Sequence, residues 1–264
     1  MSAGLKAALR SRLPRLFLAL RDLRYRLRPE RPDPSLTELL TRLSPGALRV
    51  QSGPFAAMTY LPQALGSGLL PKIAGTYEAE LHPVLERAIG RRPRRLVNIG
   101  AAEGYYAVGL ARRLPELAVY AFDLEPLALR RLPALAAANG VAGRVQFENR
   151  CTPARLAVLA GPGCLVVCDC EGCEAALLDP RQAPALAAAD LLVELHRAGD
   201  PGRPEAVLAR FATSHHCELI EAQPPPGSLP PQLAARLRPE EHARVTDEGR
   251  IDGFLWAWLT PRQR

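Results

Sequence analysis

Residues 95–106, Arg-Leu-Val-Asn-Ile-Gly-Ala-Ala-Glu-Gly-Tyr-Tyr, constrain the fold more than any other part of this chain. Leu96, Val97 and Ile99 make a short apolar run that reads as a buried parallel strand. Gly100 ends it, and Gly104 opens a helical pattern that runs on to Leu114. Strand, glycine loop and helix begin a nucleotide-binding α/β unit, where glycines let the backbone come close to a ligand. The next apolar run, 119–122, leads into Asp123, and an acid about 20 residues past such a loop suits ribose hydroxyls.

The loop itself, Gly100-Ala101-Ala102-Glu103-Gly104, lacks the middle glycine that a dinucleotide fingerprint needs for its pyrophosphate. Glu103 would repel phosphates, yet it tolerates a ligand carrying an ammonium and a sulfonium. S-adenosylmethionine is such a ligand. An NAD(P)-dependent oxidoreductase is the rival enzyme class, and a cofactor-binding module without turnover is the rival outside enzymes.

Downstream of residue 95, strands and helices alternate. Strands are expected at 96–99, 118–123, 145–148, 164–169, 190–195, 217–222 and 253–260. Helices fall at 104–114 and 126–138, from Thr152-Pro153, from Cys173, near 204–213 and over 232–244. This alternation implies a doubly wound, mostly parallel sheet that binds ligands at the carboxyl ends of its strands. Upstream, 36–43 reads as a short helix, 48–60 as a small hairpin, and Thr76 as the cap of a helix over 77–89. Three segments follow: a basic arm at 1–31, helices and a hairpin at 32–94, and a ligand-binding domain at 95–264.

The arm holds Lys6 and eight arginines against Asp22 and Glu30, a net of +7 that equals the charge of the whole chain. Its leucines at 5, 9, 13, 16, 20, 23 and 27 recur at helical spacing, with Pro14 as an interruption. Peripheral contact with an anionic membrane surface through residues 1–31 is one expectation, and packing of the leucines on the main domain is the other. No run approaches the ~20 apolar residues of a membrane span, and no secretory signal is visible. A cytoplasmic, reducing location is expected, at most peripheral at the inner membrane surface.

The stretch Val166-Val-Cys-Asp169-Cys-Glu171-Gly172-Cys-Glu174, with 98–106 and Tyr120-Ala-Phe-Asp123-Leu-Glu-Pro126, resembles the FkbM-type family of S-adenosylmethionine-dependent methyltransferases. The family's marks are similar to Asp-x-Gly-Ala-Asn-x-Gly-Tyr-Tyr, Phe-Glu-Pro and Asp-x-Glu-Gly-x-Glu, and the resemblance covers roughly 95–260. It implies a Rossmann-like sheet of seven strands with an antiparallel final hairpin. It also implies O-methylation of a small or glycan-linked hydroxyl. Carried over by position, Asn98, Gly100, Ala101, Glu103 and Gly104 would lie against the cofactor, Asp123 would hold its ribose, and Asp169 and Glu171 would stand where cofactor meets acceptor. Asn98 and Asp123 depart from the Asp and Glu that the family carries there.

Asp169 and Glu171 follow an apolar strand, where unpaired acids are unexpected, and so mark a site. Glu174 reads instead as an acid favouring a helix N-terminus. Glu194 and His196 end the next strand; His196 has the intrinsic pKa of a base for a hydroxyl proton, and Glu194 could orient it. Cys164, Cys168, Cys170 and Cys173 lack the paired-knuckle pattern of zinc sites and read as small apolar fillers, so no metal is expected. No nucleic-acid-reading motif appears, and no nucleic-acid partner is expected.

Overall fold

The computed structural model describes residues 34–65, 67–196, 203–222, 229–248 and 255–262. The basic arm at 1–31, and with it the expected amphipathic helix, lies outside these residues, as do residues 253 and 254 of the last expected strand.

Seven strands form one sheet: β1 (Arg95–Ile99), β2 (Ala118–Phe122), β3 (Val145–Glu148), β4 (Cys164–Cys168), β5 (Asp190–Glu194), β6 (His215–Glu221) and β7 (Leu255–Pro261). Their order is β3-β2-β1-β4-β5-β7-β6. The first five are mutually parallel, whereas β7 runs antiparallel between β5 and β6. This is the mixed sheet with an antiparallel final pair that the resemblance implied. The all-parallel 3-2-1-4-5-6 order of dinucleotide-binding sheets differs from it at this edge. β4 is buried at every position, as a strand covered on both faces must be, which explains its unbroken apolar reading.

The helices are α1 (Pro34–Leu43), α2 (Leu69–Ala74), α3 (His82–Gly90), α4 (Tyr105–Arg113), α5 (Ala128–Ala138), α6 (Pro153–Leu159), α7 (Glu174–Leu177), α8 (Arg203–Phe211), α9 (Pro231–Ala234) and α10 (Pro239–Thr246). Thr152 caps α6, its hydroxyl oxygen accepting from the Arg155 amide at 3.1 Å, as the Thr-Pro start predicts. Three expectations need correction. Thr76 caps nothing: its hydroxyl has no hydrogen-bond partner among the described residues, and α3 starts only at His82, where Pro83 suits the first turn. The 48–60 hairpin narrows to one antiparallel bridge, Arg49 with Thr59, flanked by Tyr60 N to Leu48 O (2.8 Å) and Val50 N to Met58 O (2.9 Å), with Val50, Met58 and Tyr60 on its buried face. The single stretch expected over 232–244 is two helices, the second starting at Pro239.

Leu39–Arg264 forms one compact unit, so 39–94 is part of the same body as the sheet. Phe55 packs against Gly109 of α4, and Thr59 exchanges two backbone hydrogen bonds with the Asn139 side chain at the end of α5 (2.9 and 2.8 Å). Arg91 grips Asp190 at the start of β5 with two bonds of 2.7 and 2.8 Å.

Candidate cofactor and acceptor site

The loop after β1 is held from two sides, by the ends of β2 and β4. The amides of Gly100 and Ala101 both donate to the Phe122 carbonyl at the end of β2 (2.9 and 3.0 Å), and Asp169 N donates to Ile99 O (2.9 Å). Gly100 has φ +78°, and any Cβ there would run into the carbonyl of Asp169. The glycine is therefore needed first for close approach of two protein backbones, a reason beyond the ligand access read from the sequence. Gly104, at φ +103°, precedes α4.

Asp123 stands just past β2 and faces this loop. Its carboxylate accepts from Ala102 N at 2.6 Å and from Glu125 N at 2.7 Å, which leaves lone pairs on both oxygens for further donors. Asn98, inside β1, is 1% exposed; its Oδ1 has no hydrogen-bond partner among the described residues, and its Nδ2 reaches Val167 O only at 3.5 Å. A buried amide oxygen without a partner is uncommon, and it fits a donor supplied by a ligand.

Glu103 departs from its expected role. It is fully buried and paired with Lys72 of α2 at 2.5 Å; it also accepts from the Tyr60 hydroxyl (2.5 Å) and the Leu65 amide (2.9 Å). Its two oxygens are thus engaged by the segment upstream of the sheet and not by a ligand's ammonium. Burial opposes its ionisation, but Lys72 and Tyr60 outweigh this and hold its carboxyl below the ordinary range. Burial first, and the contact with Glu103 after it, push the Tyr60 phenol well above its usual value.

Beyond β4 and β5, four carboxylates gather around one imidazole. His196, whose side chain is 9% exposed, holds Glu174 through Nδ1 at 2.8 Å. An ionised carboxylate only accepts, so Nδ1 carries the hydrogen and Nε2 is the basic nitrogen of the neutral ring. Nε2 faces Glu194 at 3.5 Å, Asp169 at 3.6 Å and Glu171 at 3.8 Å. Burial alone would lower the His196 pKa, but the bond to Glu174 and the surrounding carboxylates raise it. Asp169 is raised, by burial first and by the charges of Glu171 and Glu174, against its hydrogen bond with Glu194. Glu171 sits on the rim with 76% of its side chain exposed, in a left-handed conformation (φ +57°) that costs a non-glycine residue about 1–2 kcal/mol.

The expected catalytic residues Asp169, Glu171, Glu194 and His196 therefore do meet. Glu174, read as a dipole acid, is instead the partner that fixes His196, and burial is outweighed by that bond in lowering its pKa. The motif's final glutamate was its only sequence signal. Lys72 and Tyr60 were missed as well; a lysine inside the apolar run 69–74 was the available sign of a buried pair. Asp169, Glu194 and His196 also offer ligand atoms within 4.8 Å of one another, a spacing a metal ion could use, although the sequence had pointed to none. The cysteine reading changes too: Cys170 and Cys173 form a disulfide, and are not the free apolar fillers expected.

No protein-family model matches the sequence, and no curated protein matches it. Among solved structures, the chain is similar to the O-methyltransferase TomG from Streptomyces achromogenes, at 15% identity and a TM-score of 0.46, covering 98% of this chain and 100% of that one. It is similar to the C-terminal domain of precorrin-6Y C5,15-methyltransferase from Rhodobacter capsulatus, at 16% identity and 0.46, covering 69% and 89%. A ribosomal protein L11 methylase from Lactobacillus delbrueckii matches at 14% identity and 0.42, covering 67% and 76%.

Proposed function

We propose that this chain is an S-adenosylmethionine-dependent methyltransferase acting on a hydroxyl oxygen of a sugar, glycan or other small metabolite. The observation that carries the reading is the adjacency of two half-sites at the carboxyl ends of the parallel strands. A glycine loop with an orphaned buried acceptor, Asn98 Oδ1, and the Asp123 carboxylate lies directly against Asp169, which opens the acidic group around His196. S-adenosylmethionine supplies a methyl group on a positively charged sulfonium. Asn98, Gly100, Ala101, Gly104 and Asp123 would hold it, and Glu103 serves by fixing the loop to α2.

The carboxylates of Asp169, Glu171, Glu174 and Glu194 make the neighbouring surface favourable to a cation and unfavourable to a pyrophosphate. That counts against a nicotinamide dinucleotide, as does the antiparallel β7. His196 Nε2 would accept the acceptor hydroxyl's proton, with Glu174 holding the ring in the required tautomer. Methyl transfer to oxygen asks little else of a protein beyond alignment. Among the described residues no helix is long and apolar enough to cross a membrane. Contact of residues 1–31 with an anionic surface remains part of the proposal.

Calorimetric titration with S-adenosylhomocysteine tests the reading, with NAD as the competing ligand. Asp123→Ala should weaken binding by about 10- to 100-fold, the worth of hydrogen bonds to a charged group. Folded protein that ignores S-adenosylhomocysteine at hundreds of micromolar, or that binds NAD in its place, ends the proposal.

A further inference from the structure

We propose that Cys170–Cys173 is a thiol–disulfide exchange site whose state sets how firmly His196 is presented to the crevice; the consequence for turnover rests on the methyltransferase reading above. The bridge closes the loop between β4 and α7, with only Glu171 and Gly172 inside it, and both of these take left-handed backbone conformations (φ +57° and +98°). Three groups converge on one oxygen, Glu174 Oε1: the amides of Cys170 (3.2 Å) and Gly172 (3.3 Å), from within the closed loop, and His196 Nδ1 (2.8 Å). The loop that the disulfide closes therefore shares its anchor with the imidazole.

Access separates this pair from most of the other cysteines. Cys170 and Cys173 are half-buried at the site's rim, while Cys151, Cys164 and Cys168 are buried. Cys168 Sγ lies 3.8 Å from Cys170 Sγ, but burial pushes its thiol far up, so it stays protonated and is no nucleophile toward the bridge. Opening must come from outside, by a dithiol. One external thiolate attacks a bridge sulfur, the protein S–S bond breaks and a mixed disulfide forms. The second external thiol then displaces it. The external dithiol ends oxidised and the protein gains two thiols, with two electrons and two protons transferred. Without the bridge, Glu171 is free to leave its left-handed conformation, the two loop amides part from Glu174, and the carboxylate that positions His196 is released.

The test compares oxidised protein with protein treated with dithiothreitol. Alkylation and intact mass should show two additional thiols, mapping to Cys170 and Cys173. Carbethoxylation of His196 by diethyl pyrocarbonate, read by peptide mass, should run about tenfold faster after reduction, the lower end of what a lost hydrogen bond to a charged group is worth. Cys170→Ser/Cys173→Ser should show the fast rate without reductant, and Glu174→Gln should show it in both states. A bridge that excess dithiothreitol cannot open in folded protein, equal His196 rates in both states, or unfolding on reduction overturns the proposal; the last would make the bridge a structural staple. S-adenosylhomocysteine titration of the same samples separates the two readings. Redox-dependent His196 without cofactor binding keeps the exchange site and removes the methyltransferase. Cofactor binding with redox-independent His196 does the reverse.

Discussion

Replacing Lys72 by methionine should destabilise the protein by about 3–5 kcal/mol, the usual cost of removing one partner from a buried ion pair. The magnitude follows from what is left behind. Lys72 and Glu103 are 3% and 0% exposed in their side chains, so no water can take the ammonium's place. The Tyr60 hydroxyl and Leu65 amide would still donate to the stranded carboxylate, which argues for the lower part of the range. The ammonium's approach to the rings of Tyr77 (4.9 Å) and Tyr105 (5.6 Å) would be lost as well, which argues for the upper part. For a body of this size each kcal/mol moves Tm by about 2–4 °C, so a drop of roughly 6–20 °C is expected in a thermal melt, checked by urea titration. Glu103→Gln in the Lys72→Met background should recover much of the loss, since no buried charge then remains. The pH dependence has a definite sign. The folded-state pKa of Glu103 is depressed, so its contribution is present above the unfolded carboxylate value, ~4.3, and fades as pH falls through the folded value. A Lys72→Met protein within about 1 kcal/mol of wild type would refute the reasoning, because that is what an exposed pair is worth.

Gly100→Ala should fail to give soluble folded protein, or lose at least about 3 kcal/mol in a denaturant titration, because the residue must hold φ +78° against the Asp169 carbonyl. At Gly109 two effects compete: alanine gains about 1 kcal/mol of helix propensity, but its Cβ would lie 2.5 Å from the buried Phe55 ring, and overpacking costs about 1–3 kcal/mol, so a net loss is expected from the same titration. Phe55→Ala, at a residue 1% exposed, should cost about 3–5 kcal/mol. A chain cut to 95–264 should be insoluble or molten by near-ultraviolet circular dichroism, since it would carry Glu103 without its lysine and Asn139 without the Thr59 backbone.

What could be read from the sequence divides along the range of the interactions. The strands and most helices were legible because their signals are local: β3 falls at 145–148 as expected, and α4 begins one residue from its predicted start. The gathering of Asp169, Glu194 and His196 was legible for a related reason. In a parallel sheet, residues ending adjacent strands are brought to one edge by topology alone, and β4 and β5 are adjacent. What pattern could not supply was the identity of through-space partners. Glu103 was read against the loop that contains it, yet its charge is answered by Lys72, 31 residues earlier, from a short helix that no periodicity marks. Glu174 was judged by its place at the start of a helix, a preference worth a few tenths to about 1 kcal/mol. The contact with His196, 22 residues on, is a charge-assisted hydrogen bond at a nearly buried site and dominates that preference. The cysteine spacing was equally silent, since two residues between thiols permit a bridge or a free pair alike. Only the backbone, turned through two left-handed residues to bring the α-carbons to 5.5 Å, decides for the bridge. In each case the sequence named the chemical group and left its partner open. The partner decides whether a carboxylate near this crevice is left open to a ligand, holds an imidazole, or bolts the glycine loop to α2.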